Sequence, residues 1–167
     1  MCGIVGYIGP QEATPILLEG LHRLEYRGYD SAGVAILNQN LKVYKTRGKV
    51  SDLEGFTKGQ ELHGTIGIAH TRWATHGGVT EKNAHPHASS ERIAVVHNGI
   101  IENYEELREA LQAKGYQFES ETDTETIVHL IYDCLSEGSL VKAVQCATEK
   151  LEGAYAIAVI DSESPDE

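Results

Sequence analysis

The sequence predicts an α+β domain whose sheets are covered by helices on their outer faces. Two observations carry that expectation. Its strand-length runs are apolar on both faces, and its helical periodicities come partly in blocks instead of alternating strictly with strands. A chain of 167 residues suits one domain with a real core, and no internal repeat or low-complexity segment interrupts it.

Ile4-Val5-Gly6-Tyr7-Ile8 reads as a buried strand that begins almost at the amino terminus. A helix near residues 13–26 follows, with Leu17, Leu18, Leu21 and Leu24 on one stripe. Pro15 is tolerable in its first turn, and Gly28 stops it. Residues 34–37 and 41–45 flank Asn38-Gln39-Asn40 as a hairpin. Residues 66–71 and 93–97 are two more short strands, separated by a long aperiodic stretch with Gly77, Gly78 and Pro86. Such a loop inside a compact domain is usually functional or disordered, and Arg72, Trp73, Thr75, His76, His85 and His87 favour function.

Three helices come next. One starts near Asn103, with Glu106 completing a capping-box pattern and Tyr104, Leu107 and Leu111 facing inward before Gly115. The second opens with a similar pattern at Thr122-Asp123-Thr124-Glu125 and carries Ile127, Leu130, Ile131 and Leu135. The third shows Leu140, Val144, Ala147 and Leu151 at helical spacing and ends at Gly153. Residues 154–160 form a final buried strand, and residues 161–167 read as loop.

The net charge of −11, with no notable cluster of Lys or Arg, argues against a nucleic-acid or anionic-membrane surface. No apolar stretch is long enough to span a bilayer, and the amino terminus lacks the pattern of a signal peptide. Cys2, Cys134 and Cys146 are a poor disulfide or zinc framework, which points to the cytoplasm and to Cys134 and Cys146 as buried apolar residues on helices.

Cys2 stands apart. Removal of Met1 exposes an α-amine with a pKa of roughly 7.7–8.0 on the same residue as a thiol near ~8.5. The amine takes the thiol proton, directly or through a water, and returns it to a leaving amine, so one residue is a nucleophile and its base. The alternative is a small apolar residue opening a buried strand. Gly3 and the following strand favour the chemical reading, because a frayed terminus could not hold a thiolate in place.

Cys2-Gly3-Ile4-Val5-Gly6 resembles the opening of the class II glutamine amidotransferases, members of the N-terminal nucleophile hydrolase superfamily. The block from Arg23 to Gly33, with Arg27-Gly28-Tyr29-Asp30, is similar to the glucosamine-6-phosphate synthase family (isomerising glutamine–fructose-6-phosphate aminotransferases). So are His70-Thr71-Arg72-Trp73-Ala74-Thr75-His76-Gly77, Asn83-Ala84-His85-Pro86-His87, His97-Asn98-Gly99 and Ser120-Glu121-Thr122-Asp123. The blocks keep the family's order over nearly the whole chain.

The resemblance implies a four-layer αββα sandwich with two antiparallel sheets face to face, truncated here at its carboxyl-terminal end. It implies L-glutamine as substrate, no cofactor, no metal, and a separate sugar-phosphate-binding isomerase domain in a full-length, homo-oligomeric protein. By resemblance Arg72 clamps the glutamine carboxylate, since a guanidinium fork fits a carboxylate bidentately. Asp123 takes the α-ammonium, although a helix-capping acid also belongs at that position. Asn98 and Gly99 supply an oxyanion hole, although Asn-Gly alone is equally a turn. Trp73, Thr75, His76 and His85 belong to a loop that closes over substrate. Arg27 helps to position Cys2, or simply stabilises a helix carboxyl terminus.

Three competing readings stay open at this level. One is the same fold serving another acceptor, such as phosphoribosyl pyrophosphate or aspartate. Another is an inactive glutamine-binding module, the state that retention of Met1 would produce. The third is a redox or metal protein, raised by His85-x-His87 but without a suitably spaced Asp, Glu or Cys.

Overall fold

Three apolar cores separate four layers in the computed structural model, which describes residues 1–60 and 62–167. The first sheet contains β1 (Gly3–Ile8), β2 (Ser31–Asn38), β3 (Asn40–Arg47) and β4 (Ile66–Arg72), in the order β1-β4-β2-β3. The second contains β5 (His87–Ser89), β6 (Ile93–Ile101) and β7 (Gly153–Asp161), in the order β5-β6-β7. Every pairing is antiparallel. Helices α1 (Ala13–Leu24) and α2 (Val50–Thr57) cover the first sheet, while α3 (Tyr104–Ala113), α4 (Asp123–Asp133) and α5 (Leu140–Thr148) form the layer outside the second.

Side-chain alternation explains why the central strands are apolar throughout. Along β2, Ala32, Val34 and Ile36 pack under the helices, and Ala35 and Leu37 face the other sheet. Along β6, Ile93 and Val95 face the helices, and Ala94 and Val96 face the first sheet. Gly33 occurs where β2 meets the segment carrying His85, and a Cβ there would come 2.1 Å from the His85 carbonyl oxygen. The four-layer architecture implied by the resemblance is the one found.

Several local expectations need correction. Residues 50–57 form α2, which the periodicity did not suggest; Asp52 closes its first turn by accepting the Lys49 N–H at 2.8 Å. Part of the long stretch becomes β5, recruited by pairing with β6. The capping box at Asn103 does not form, because φ −97° and ψ 23° are not the extended geometry of an N-cap. Asn103 instead donates to the Lys150 carbonyl at 2.8 Å and accepts the Glu152 N–H at 3.0 Å, fastening the start of α3 to the approach to β7. At α4, Thr122 does cap, but Glu125 turns back to the Glu119 and Ser120 N–H groups at 2.8 and 2.7 Å.

Cys134 and Cys146 are not separate apolar residues. They form a disulfide between the 3-10 turn after α4 (Cys134–Glu137) and α5, with Cα atoms 6.1 Å apart. Their spacing of 12 residues did not reveal that the chain folds back between them. The pairing also removes the cysteine-count argument for a reducing compartment. No described helix is long and apolar enough to cross a membrane.

Leu21 is 0% exposed on α1 and packs in the core against the first sheet. Leu21→Ala is expected to cost ~2–5 kcal/mol through lost transfer energy and an unfilled cavity. Urea denaturation checks this, the loss appearing as a lower midpoint for this domain's transition.

Candidate active site

The pairing of β1 with β4 places Gly3 opposite Thr71, which brings Cys2 to the end of β4 where Arg72 and Trp73 leave the sheet. The Trp73 N–H donates to Cys2 Sγ at 3.2 Å. From the second sheet, Asn98 Nδ2 donates to the Cys2 carbonyl at 3.3 Å. Among the described residues Cys2 is the one free thiol. Met1 carries the terminal amino group here, donating to the Arg27 and Gly28 carbonyls at 3.0 and 2.8 Å. The Arg27 guanidinium approaches Met1 Sδ at 3.8 Å, so Arg27 sits beside the amino terminus.

Cys2 opens onto a cleft of about 230 Å³. Arg72, Trp73, Thr75 and His76 line one part of it, and His85, Gly99 and Asp123 another. Asn98 is not a lining residue but reaches Cys2 from beside the cleft. Gly99 has φ +126°, a region that disfavours side chains, and a Cβ there would lie 2.3 Å from the Ala154 carbonyl oxygen. The cleft is therefore bordered by backbone at this point. His97, Ile100, Thr122 and Thr124 also line it; they lie in or beside the motif blocks, but sequence reasoning gave them no role in the site.

The cleft is polarised. Arg72 is only 3% exposed, and burial draws its pKa down against the opposing pull of Asp30, Cys2 and Asp123. Its Nη1 donates to the Gly78 carbonyl at 3.2 Å and its Nη2 to the His76 carbonyl. Asp123 is the first residue of α4. Its Oδ2 accepts the Ile101 N–H at 2.9 Å, while Oδ1 lies 3.9 Å from Nδ1 of both His76 and His97. A buried cation and a buried carboxylate thus share one small cleft with a thiol, a pattern suited to a zwitterion carrying an electrophilic group.

The loop after β4 is tied down at both ends. Asp30 accepts the Ala74 N–H at 2.6 Å, and Asn83 bonds Gly78 and Glu121, each at 2.9 Å. Asp30 and Asn83 lay within the motif blocks, but only contacts 44 residues apart, as between Asp30 and Ala74, reveal what they hold. His85, at the β5 end of the same loop, lines the cleft yet is almost wholly buried. It is bonded to Thr124 Oγ1 at 3.1 Å and accepts the His97 N–H at 3.4 Å. Both of its ring nitrogens are engaged, so it has no free lone pair for a metal. His87 bonds Thr122 Oγ1 at 3.0 Å.

A larger cleft of about 730 Å³ opens elsewhere, lined by Lys45, Glu81, His87 and Glu119. It holds no thiol, so size does not decide where the chemistry lies.

A family model described as a glutamine amidotransferase domain matches residues 70–166. The chain belongs to the glutamine amidotransferase domain family. The amidotransferase domain is 60% identical, over its whole length, to the glutamine–fructose-6-phosphate aminotransferase (isomerising) of Bacteroides thetaiotaomicron. It is 59% identical over 99% of its length to the protein of the same name from Idiomarina loihiensis. The chain spans 28% of the length of each relative. Among solved structures, the glutamine phosphoribosylpyrophosphate amidotransferase of B. subtilis matches 97% of this chain and 35% of its own, with a TM-score of 0.83 and 27% identity. The two-sheet fold is therefore that of the N-terminal nucleophile class II amidotransferases.

Burial makes the interior behind the cleft sensitive to acid. It lowers the pKa of His70 to about 4, and it lowers those of His85, His87 and His97 in the same direction. These imidazoles stay neutral in the fold but titrate near ~6.5 when it opens. Below that pH the unfolded chain binds protons that the folded one refuses, so stability present above it is lost as pH falls towards 4. His22, raised by its bond to Glu25, acts in the opposite sense but lies near the surface. The thermal midpoint is expected to drop between pH 7 and pH 5; a flat profile would contradict this.

Proposed function

We propose that this domain hydrolyses L-glutamine through a γ-glutamyl thioester on Cys2. The observation that carries the proposal is the presence of Cys2 in one cleft with Arg72 and Asp123. Removal of Met1 turns the Cys2 nitrogen from a peptide amide into a free amine. The amine takes the thiol proton, and Sγ attacks the glutamine amide carbon. Asn98 Nδ2 and the Gly99 N–H stabilise the oxyanion that forms. When the oxyanion collapses, the C–N bond breaks and the amine returns its proton to departing ammonia. Water then cleaves the thioester, releasing glutamate and restoring the thiol.

Arg72 binds the α-carboxylate and Asp123 the α-ammonium. Trp73, Thr75, His76 and His85 shape the pocket and exclude water, and Arg27 steadies the amino terminus. No metal or other cofactor takes part. The Cys134–Cys146 disulfide points to an oxidising compartment and the free Cys2 thiol to a reducing one; because the reaction needs the thiol, we place the protein in the cytoplasm. β7 stands at the edge of the second sheet and carries exposed Ala154 and Ala156. In the full-length, homo-oligomeric protein the ammonia passes to an isomerase domain that converts fructose 6-phosphate to glucosamine 6-phosphate. The names of the curated relatives favour this acceptor over phosphoribosyl pyrophosphate.

A second reading describes the unprocessed chain. With Met1 in place and its ammonium held by Arg27 and Gly28, the Cys2 nitrogen is no base, and the domain binds glutamine without turning it over. Amino-terminal mass spectrometry separates the two states.

In the full-length protein, Cys2→Ala is expected to lower glutamine hydrolysis by a factor on the order of 10⁶ while glutamine still binds. Normal turnover in that variant would end the thioester mechanism. Asn98→Ala should lower kcat by ~10²–10³ with little change in KM. Steady-state ammonia release measures both, and a raised KM with normal kcat for the Asn98 variant would remove it from the oxyanion hole.

A further inference from the structure

We infer that His70 is the positioning residue that fixes which way the Asn98 amide faces. This rests on the oxyanion role proposed above for Asn98. An Asn side chain has two nearly isosteric ends of opposite polarity. Turned one way, it offers N–H to a developing oxyanion. Turned by 180°, it offers a lone pair and repels the same charge. A residue that works as an oxyanion donor therefore needs something that chooses between the two.

The choice is made across the gap between the sheets. His70 stands on β4 and Asn98 on β6, and His70 Nε2 lies 2.8 Å from Asn98 Oδ1. Asn98 Nδ2 lies 3.3 Å from the Cys2 carbonyl oxygen. His70 is fully buried and its Nδ1 makes no hydrogen bond. Burial, opposed by the Asn98 bond and by the His97 backbone, lowers its pKa to about 4, so one ring proton is present at neutral pH.

Placing that proton on Nε2 satisfies every contact. Nε2–H donates to Oδ1, Nδ2–H donates to the Cys2 carbonyl, and the second Nδ2 hydrogen is left for the cleft. Placing it on Nδ1 buries a donor without an acceptor. It also sets the Nε2 lone pair against Oδ1, or, with the amide turned over, sets Oδ1 against the Cys2 carbonyl oxygen. The His85 ring stacks on His70 at 4.2 Å and 21°, and His85 is itself held by Thr124 and by the His97 N–H. The ring that points Asn98 is thus locked on its other side. His70 does not line the cleft and touches no reacting atom.

The test uses the full-length protein and three substitutions at one position. His70→Phe keeps a ring against His85 but removes the donor. His70→Gln carries an amide nitrogen about where Nε2 lies, and His70→Asn carries one too short to reach Asn98. Relative to wild type, His70→Phe and His70→Asn are expected to lose ~10²–10³ in kcat with KM for glutamine nearly unchanged, the loss typical of a missing oxyanion donor. His70→Gln should recover most of it. Adding His70→Phe to Asn98→Ala should cost little more than Asn98→Ala alone, because the two act as one unit. Affinity for an aldehyde analogue of glutamine, which forms an oxyanion-like adduct with Cys2, should fall with kcat across the series.

Near-normal kcat in both the Phe and Asn variants would overturn the inference. So would equal activities of the Gln and Asn variants, or independent, multiplying losses with Asn98→Ala. If the Phe variant does not fold, the comparison of Gln with Asn still decides. The Cys2→Ala variant tests the thioester separately: its activity bears on the hydrolysis itself, whereas the His70 series bears only on how Asn98 is aimed.

Discussion

The register between β1 and β4 is the constraint on which the rest of the site depends. Gly3 faces Thr71 and Ile4 faces His70, so Cys2 arrives where Arg72 and Trp73 turn out of the sheet. Side chains alternate along a strand, and a slip of one residue would send each to the opposite face. A chain terminus is ordinarily the most mobile part of a domain. Here it is paired along β4, with its thiol accepting the Trp73 N–H and its carbonyl the Asn98 amide. The second of these bonds comes from the other sheet, so the position of Cys2 depends on how the two sheets meet.

That meeting changes character along its length. Around Leu37, Ile68 and Ile160 it is an ordinary apolar core. Near Cys2 it becomes polar, with His70, His85 and Asn98 in the interior or at its edge. Burying imidazoles is costly unless they are neutral and hydrogen-bonded. Thr122, Thr124 and Asn98 provide most of those bonds, while Nε2 of His97 and Nδ1 of His70 go without. An imperfectly satisfied interior of this kind stabilises poorly, but it surrounds the site with fixed dipoles in place of mobile water. Gly33 contributes by letting the His85 backbone approach β2.

The elements that local pattern revealed were those whose stability is mostly local or continuous. The Leu17, Leu18 and Leu21 stripe foretold α1, and Thr122 foretold the start of α4. Apart from α2, a short helix closed by its own Asp52, the features missed owe their form to partners. β5 is three residues long and exists because β6 is beside it. Asn103 carries a capping signature yet is taken by Lys150 and Glu152 from the far side of α5. The Cys134–Cys146 bond depends on a fold-back that no spacing rule encodes.

For the site, the sequence by itself determined the chemical groups: a cysteine at position 2, an Arg and an Asp to read a zwitterion, and an Asn-Gly pair after an apolar strand. Those are matters of residue type and order, and motifs record them. Only the tertiary structure decided which groups meet and which way they face. Arg72 and Asp123 are far apart in sequence, and His85, still on the loop before β5, turns inward to a buried position on the cleft. His70 stood unremarked inside a recognised block until its nitrogen was found against Asn98. The physical reason is that hydrogen-bond direction and burial are set by strand pairing and sheet packing between distant segments, and a local pattern carries neither.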